Sequence, residues 1–372
     1  MNQEKEGNML VFVGTYTEPI LFGTGKILQG KGEGIYAFRL DESSGGLEPV
    51  AKTTGVTNPS YLAFDASRRF LYAVNELKVY EDRPSGTVSA FAVDAKTGWL
   101  RFLNKRLTHG TDPCHVLVDD ARKHVFVANF MSGSVCVLPV RDDGSLGEAS
   151  DFIQHQGSGI DPARQKGPHA HSVTLDATNR FAFVPDLGLD RLMTYRLDAR
   201  RGMLEANTVP WIKMKPGAGP RHVAFHPGGK FAYLVNELDS TIAALSYDKQ
   251  AGAFEHLETV PTLPAGFSGA STCADIQVSP KGTHVYASNR GHDSIVIYRI
   301  EGRSGKLSYV GHQPTGGQTP RSFGIDPAGR FLLAANQDSD TIVSFYIDAG
   351  DGTLEPTGQV MAVPTPVCVK FL

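Results

Sequence analysis

The chain has little excess charge of either sign and no long hydrophobic run. Its 36 Lys and Arg residues stand against 39 Asp and Glu residues, for a formal net charge of −3. This balance excludes a generally cationic nucleic-acid surface and an acidic tail. The longest apolar stretches, such as residues 70–74, are as long as a strand and far shorter than the ~20 residues of a membrane helix. We therefore expect neither a nucleic-acid partner nor a membrane span.

The chain also has few cysteines and no apolar segment at its start. The four cysteines are widely separated and form no CxxC pair, which favours reduced thiols over a disulfide framework or a zinc site. Residues 1–6 are polar, so we expect a polar tail over residues 1–8, one domain over residues 9–372 and a cytoplasmic location. The segment around Lys26, Gly23-x-Gly25-Lys26, lacks the full spacing of a phosphate loop, and we expect no cofactor.

Turn residues are abundant, with 40 Gly and 22 Pro, and they recur at a regular interval. The motif Gly-x-Leu/Phe appears seven times between residues 45 and 352, with an average step of about 51 residues. A strand-like segment with roughly alternating apolar residues precedes each copy. Two more such segments complete the repeat, one opening at Pro and one usually ending in Asn. Four short antiparallel strands every ~50 residues are typical of a propeller blade.

The two ends of the chain carry complementary parts of one blade. The chain ends after a single first-type strand, PVCVKFL (366–372), and begins with a second-type strand, MLVFVGT (9–15), followed by the third and fourth types. We therefore predict an all-β fold, a seven-bladed β-propeller of four-stranded antiparallel blades. Its N- and C-terminal strands share one blade and close the ring, which covers edges that would otherwise be exposed.

A charged residue in one blade, at a position where the other blades share another residue type, indicates the functional site. In a propeller the first strand begins and the second strand ends at the same mouth of the central channel. At these two places the third to sixth blades carry His171, Arg221, Glu237, Arg290 and Arg321. Because these blades are consecutive, we expect the five side chains to face one another. Three guanidinium groups favour an anionic substrate, since each presents a rigid fork to carboxylate or phosphate.

Four of these residues suggest a catalytic set. His171 is the natural proton acceptor near neutral pH, and Glu237 is placed to orient it or to hold a water or hydroxyl. We take His171, Arg221, Glu237 and Arg290 as candidate catalytic residues. In an alternative interpretation Arg221 and Glu237 simply pair with each other and hold a blade interface together.

Neighbouring positions supply candidate substrate-binding residues, which are Arg321, His169, Asp186, Glu76 and His115. His169 and His171 would share one face of a strand, and with Asp186 they form a possible metal-ligand set. The nearby arginines would repel a cation, so we predict no metal there. Structural hydrogen bonds are the favoured interpretation for His115, and inert packing for the thiol of Cys114.

Four segments resemble the seven-bladed β-propeller lactonase family, which includes bacterial 6-phosphogluconolactonases and is related to fungal carboxymuconate cyclase. They are GPHAHSV (167–173), GPRHVAFHPGGKFAYLVNEL (219–238), SNRGHDSI (288–295) and TPRSFGIDPAGRFLLAANQ (319–337). The resemblance implies a lactone ring opened by water, or formed reversibly, at the channel mouth. It also implies a catalytic His, Glu and two Arg, which fall on the candidate catalytic residues given above.

Three functions follow as hypotheses. The first is hydrolysis of a sugar lactone that bears an anionic group, with 6-phosphogluconolactone of the pentose phosphate route as the substrate. The second is a lactonising cycloisomerase of the carboxymuconate type, in which arginines neutralise carboxylates. The third is a propeller that binds a partner without catalysis. The first is favoured because the unusual residues are ionisable and gather at the mouth. The sequence does not predict an oligomeric state.

Overall fold

The computed structural model describes residues 9–372, and every regular element in that range is a β-strand. The predicted polar tail over residues 1–8 lies outside the described residues. The described part of the chain contains no helix of a length and hydropathy suited to crossing a membrane.

The strands are numbered in chain order. The N-terminal segment contains β1 (Leu10–Thr15), β2 (Ile20–Leu21), β3 (Ile27–Leu28), β4 (Gly34–Leu40) and β5 (Leu47–Thr54). Blade 1 contains β6 (Leu62–Phe64), β7 (Phe70–Asn75), β8 (Thr87–Val93) and β9 (Leu100–Leu107). Blade 2 contains β10 (Pro113–Val118), β11 (His124–Asn129), β12 (Ser134–Pro139) and β13 (Asp151–Gln154). Blade 3 contains β14 (Thr174–Leu175), β15 (Phe181–Asp186), β16 (Arg191–Asp198) and β17 (Met203–Lys213).

The second half of the chain continues the same order. Blade 4 contains β18 (Pro220–Phe225), β19 (Phe231–Asn236), β20 (Thr241–Asp248) and β21 (Ala253–Pro261). Blade 5 contains β22 (Thr272–Val278), β23 (His284–Arg290), β24 (Ser294–Ile300) and β25 (Leu307–Pro314). Blade 6 contains β26 (Pro320–Ile325), β27 (Phe331–Asn336), β28 (Thr341–Ile347) and β29 (Leu354–Ala362). The last strand is β30 (Pro366–Phe371).

Seven four-stranded antiparallel sheets form a closed ring, as predicted. The seventh has the order β30-β1-β4-β5, so the two ends of the chain share one blade. In that blade Val11 is opposite Phe371, and Val13 is opposite Val369. Strand β30 contacts the first strands β26 and β6 on its two sides, which completes the circle around the axis. The terminal strand edges are therefore paired rather than exposed.

The recurrent glycine holds neighbouring blades together. Gly144 in blade 2 has a φ of +82°, and a Cβ at this position would lie 2.2 Å from the ring of Phe70 in blade 1. Its carbonyl accepts a hydrogen bond of 2.9 Å from Tyr72 in blade 1. Gly305 accepts the same bond from Tyr233 at 3.1 Å. The repeat thus requires glycine for both its backbone conformation and its close approach to the next blade.

The recurrent asparagine joins each blade to the connection that enters it. Asn129, at the end of β11, donates through Nδ2 to the carbonyl of Thr108, which follows the last strand of blade 1. Asn289 donates in the same way to Thr262, at 2.8 Å. Both asparagines are fully buried. The shared residues therefore build the scaffold, and the site must come from the residues that differ between blades.

Candidate active site

A cavity of about 220 Å³ opens at the mouth where the first strands begin and the second strands end. The hairpin β2–β3 and the loop between β13 and β14 both contribute to its wall, as expected for long connections on this face. Its polar and aromatic lining includes Phe22, Lys26, Glu76, Cys114, Phe130, Arg164, His171, Glu237, Arg290, Arg321 and Gln337.

A β-bulge at the start of several first strands directs side chains toward the channel. The pairing register shifts between Pro113 and His115, between Pro220 and His222, and between Pro320 and Ser322. The skipped residues, Cys114, Arg221 and Arg321, have no partner opposite them in the ladder. A bulge changes the direction of a side chain locally, so the three skipped residues are released from the regular alternation of the strand.

Glu237 lies at the centre of a cluster of arginines. Its Oε1 accepts a bond of 2.6 Å from Nη2 of Arg164. Its Oε2 lies 3.1 Å from Nε of Arg221 and 2.9 Å from Nη2 of Arg290. The carboxylate is buried, and two of these arginines have exposed side-chain fractions of 16% and 15%, whereas Arg221 has only 3%. Three positive groups around one carboxylate leave a local positive excess beside the cavity.

Glu237 and the arginines around it stabilise each other's charged forms. Burial alone would raise the pKa of Glu237, but Arg290, Arg164 and Arg221 hold that pKa far below its usual range. Burial lowers the pKa of Arg290 to about 10, although Glu237 opposes the shift. Glu237 and Arg290 are therefore both charged at neutral pH. Glu237 orients the arginines and is too weak a base to accept a proton from water.

His171 borders the same cluster. It is buried, and its Nε2 lies 3.9 Å from Oε2 of Glu237. Burial, with the charges of Arg221, His222 and Arg321, lowers the pKa of His171 well below its usual value. The imidazole is therefore neutral near pH 7 and carries a lone pair that can accept a proton.

Cys114 contacts His171 on the side away from Glu237. Its Sγ lies 3.6 Å from Nδ1 of His171 and donates to the carbonyl oxygen of the same residue at 3.3 Å. Burial raises the pKa of the Cys114 thiol far above its usual value, and Glu76 adds to the shift. The thiol thus stays protonated, which agrees with the predicted packing role. The sequence did not predict the contact with His171.

Arg321, in blade 6, also lines the cavity. Its guanidinium lies 5.4 Å from the ring centroid of Tyr16 and 5.1 Å from that of Phe22. Within residues 9–372 it has no carboxylate within ion-pair distance. It is partly exposed to the cavity. Arg321 is therefore the cavity arginine that is most available to an anionic ligand.

Glu76 is the second buried carboxylate in the lining. The Tyr16 hydroxyl donates to its Oε2 at 2.9 Å. Burial raises the pKa of Glu76, and Arg321 opposes the shift only in part. Its environment therefore differs from that of Glu237. Glu76 has a neutral hydrogen-bond donor and a more distant arginine, whereas Glu237 forms three direct ion pairs.

Arg221 is the one candidate catalytic residue that does not line the cavity. Arg221 lies below the cavity floor and donates to the carbonyl oxygen of Ala274, while its Nη1 lies 3.2 Å from Nε2 of His222. It pairs with Glu237, as the alternative interpretation predicted. His171, Glu237 and Arg290 do line the cavity. Arg221 thus supports the cavity from beneath.

Three predicted substrate-binding residues lie outside the cavity lining. His169 stacks on the outer side of Phe130, with ring centroids 4.7 Å apart. Asp186 is fully buried and accepts a 2.6 Å bond from Nδ1 of His155, together with bonds from nearby backbone N–H groups. His115 lies deeper in the channel, against Tyr61. This placement does not support their predicted substrate-binding role, because comparing the blades gives the position of a residue around the ring but not its depth along the axis.

The cavity and the residues that support it include side chains outside the predicted set. Tyr16 follows the second-type strand of the shared blade, so its equivalence to Glu76 and Glu237 was available in the repeat. Arg164 lies in a long loop that the comparison of blades does not cover, yet it contacts Glu237 across 73 residues of chain. Lys26 lines the cavity while bound to Asp338 at 3.3 Å, although its glycine motif was discarded.

Comparison with known proteins gives consistent findings over the whole described chain. The sequence model described as lactonase, 7-bladed beta-propeller, matches residues 10–371. The chain is 38% identical to a 6-phosphogluconolactonase of Bacillus subtilis, over 97% of each chain. It resembles the solved structure of a periplasmic gluconolactonase of Pseudomonas aeruginosa, with a TM-score of 0.90 and 33% identity, over 98% of this chain and 99% of the other. A solved protein from Lactobacillus plantarum gives a TM-score of 0.87 and 34% identity over 98% and 99% of the two chains.

Proposed function

The chain belongs to the seven-bladed β-propeller lactonase family, and we propose that it hydrolyses a sugar lactone with an anionic group, 6-phosphogluconolactone, to the open acid. The observation that carries the substrate class is the excess of arginines around Glu237, since the acidic lining residues Asp112 and Asp338 are paired with Lys78 and Lys26. Three arginines share the single charge of Glu237, and Arg321 stands free of any ion pair in the described chain. The name of the Bacillus subtilis relative supports the same substrate.

In the proposed reaction His171 acts as the general base. Its neutral imidazole accepts a proton from water through Nε2, while Nδ1 faces the Cys114 sulfur. The water oxygen forms a bond to the lactone carbonyl carbon, and the ring carbon–oxygen bond breaks. The proton on His171 then passes to the departing ring oxygen, so the products are a carboxyl group and a hydroxyl group.

The arginines divide into two roles in this proposal. Arg290 and Arg164, both fixed by Glu237 and both in the lining, stabilise the negative charge that develops on the carbonyl oxygen. Arg321, which has no ion-pair partner in the described chain, holds the phosphate of the substrate. Arg221 and Glu237 are positioning residues, because the first lies below the floor and the second is saturated by ion pairs.

Glu76 has a binding role in the same proposal. Tyr16 donates to one of its oxygens, and the carboxylate faces the cavity beside Arg321. It accepts a hydrogen bond from a hydroxyl of the sugar ring. A site that recognises hydroxyls and phosphate together discriminates against lactones that lack either group.

We place this activity in the pentose phosphate pathway and in the cytoplasm. The P. aeruginosa relative is a periplasmic protein, so the compartment needs its own test. Fractionation of cells that carry an epitope-tagged chain should give the protein with cytoplasmic markers. Release by osmotic shock, together with a periplasmic marker, would contradict the location while leaving the reaction unaffected.

The substrate class is tested by a matched pair of lactones, 6-phosphogluconolactone and gluconolactone. Acid release is followed at pH 7 and the spontaneous opening of each lactone is subtracted. We expect a kcat/KM at least ~10-fold higher for the phosphorylated lactone, because one hydrogen bond to a charged group contributes about 1.5 kcal/mol or more. Equal rates would refute the proposed anion requirement. Product formed without incorporation of ¹⁸O from labelled water would instead favour the cycloisomerase.

A further inference from the structure

A second cavity, of about 300 Å³, occupies the opposite end of the channel. It is lined by residues nearer the ends of the first strands, including Thr174, Gln277 and Lys370. Arg221 and His222 lie between it and the mouth cavity. The proposed lactonase reaction uses none of its groups.

The carboxylate in this cavity, Asp275, already accepts hydrogen bonds at both of its oxygens. Asp275 accepts at Oδ1 from Nδ1 of His222, at 3.1 Å, and from the backbone N–H of Ile276. Its Oδ2 accepts from the Ser322 hydroxyl at 3.0 Å. The other polar side chains are similarly engaged, since Gln277 binds the backbone of blade 6 through both its nitrogen and its oxygen. The carboxylate therefore has little capacity left for a cation.

Donors, in contrast, remain without acceptors. The Lys370 ammonium donates to the Tyr61 hydroxyl at 3.2 Å and lies 4.4 Å from the ring centroid of Tyr61. It has no carboxylate within ion-pair distance in the described chain. Two of its three N–H bonds are thus available.

His115 supplies one more donor. Its Nδ1 accepts a hydrogen bond of 3.4 Å from the backbone N–H of Val173. Burial, with His222 and Lys370, lowers the pKa of His115 well below its usual value, so the imidazole is neutral. A neutral imidazole that accepts at Nδ1 carries its proton on Nε2. Both His115 and Lys370 line the cavity, and they pack against the ring of Tyr61 from the blades on its two sides.

We propose that this second cavity is a binding site for a small oxyanion, a carboxylate or a phosphate, held by Lys370 and His115. An ammonium and a neutral imidazole N–H match the acceptor oxygens of such an anion. Among the described residues that line the cavity, Asp275 is the one carboxylate, and hydrogen-bond donors occupy both of its oxygens. The site is separate from the mouth, where the lactone binds. Its existence does not depend on the proposed catalytic activity.

The test observes His115 directly. Protein with ¹³C-labelled histidine is titrated with inorganic phosphate, and in a second arm with acetate, at constant ionic strength, and the His115 signal is assigned by His115→Gln. The titrations use the Arg321→Met background, which weakens competing binding at the mouth. We expect a saturable shift of His115, and at least ~10-fold weaker binding in Lys370→Met. The arm with the tighter binding identifies the oxyanion class.

Lys281→Met is the matched control, because Lys281 is an exposed lysine in the hairpin between β22 and β23. Its binding should equal that of the parent. The proposal is overturned if His115 does not respond to either anion, or if Lys370→Met and Lys281→Met bind equally. If Lys370→Met does not fold, anion binding in the second cavity is tested with crystals of the parent protein soaked in bromide. An anomalous peak beside Lys370 and His115 supports the site, and its absence refutes it.

Discussion

Replacing Glu237 by Gln removes the charge on which three arginines converge. Truncating one partner of a buried ion pair costs about 3–5 kcal/mol of unfolding free energy, because the remaining charge stays buried without compensation. Arg164 and Arg290 retain exposed fractions of 16% and 15% and gain some relief from water, whereas Arg221, at 3%, cannot. We therefore expect a loss near the lower limit, about 3 kcal/mol.

The measurement is urea unfolding at pH 7.5, with the midpoint and slope compared between variants. Glu48→Gln is the matched control, because Glu48 pairs with Arg39 at 3.8 Å and has 72% of its side chain exposed. Such a surface pair contributes about 0–1 kcal/mol. A loss below 1 kcal/mol in Glu237→Gln, or equal losses in both variants, would refute the idea that Glu237 anchors the cluster.

The pH dependence gives a second readout of the same variant. The pKa of Glu237 is depressed in the folded state, so its stabilisation is fully present above the unfolded-state pKa of about 4.5. It is lost as the pH falls below that value toward the folded-state pKa. The difference between parent and Glu237→Gln should thus be constant from pH 6 to pH 8 and should shrink below about pH 4. A difference that grows in acid would contradict the assigned pKa direction.

Three further predictions concern the mouth cavity. His171→Gln should lower kcat by about 100-fold or more, and in the parent the acid limb of kcat/KM should lie below pH 6.5 because burial lowers the pKa of His171. Arg321→Met should raise KM for 6-phosphogluconolactone about 10-fold or more and leave KM for gluconolactone nearly unchanged; a parallel rise for both would refute phosphate binding by Arg321. Cys114 should escape iodoacetamide in the folded protein at pH 8, as judged by mass spectrometry, because burial raises its pKa. Rapid labelling would contradict that assignment.

Much of the fold was predictable because each blade repeats the same physical solution. The glycine and asparagine repeats mark contacts between neighbouring blades, as Gly144 and Asn129 show. The incomplete blades at the two chain ends predict closure, since unpaired strand edges are costly to leave exposed. In blade 3, however, the first strand is shorter than expected. Only residues 174–175 form it, preceded by a single bridge from Ala170 to Asp186.

The candidate site was predictable in part. Comparing blades brought His171, Glu237, Arg290 and Arg321 to one cavity, because equivalent positions in a propeller lie on one ring. The same comparison could not show which side chain points up into the mouth and which points down the channel. Contacts with Ala274 and His222 decide this for Arg221, and packing on Phe130 decides it for His169. The contact of Arg164 depends on the path of a long loop, which no repeat encodes.

The opening of 6-phosphogluconolactone in H₂¹⁸O by the parent and by His171→Gln tests the central claim most directly. The claim predicts acid release above the spontaneous background, in proportion to enzyme concentration, with one labelled oxygen in the new carboxylate. It also predicts a loss of about 100-fold or more in a His171→Gln protein that unfolds at the same urea concentration as the parent. A parent rate equal to the background, or an undiminished rate in the variant, would contradict it.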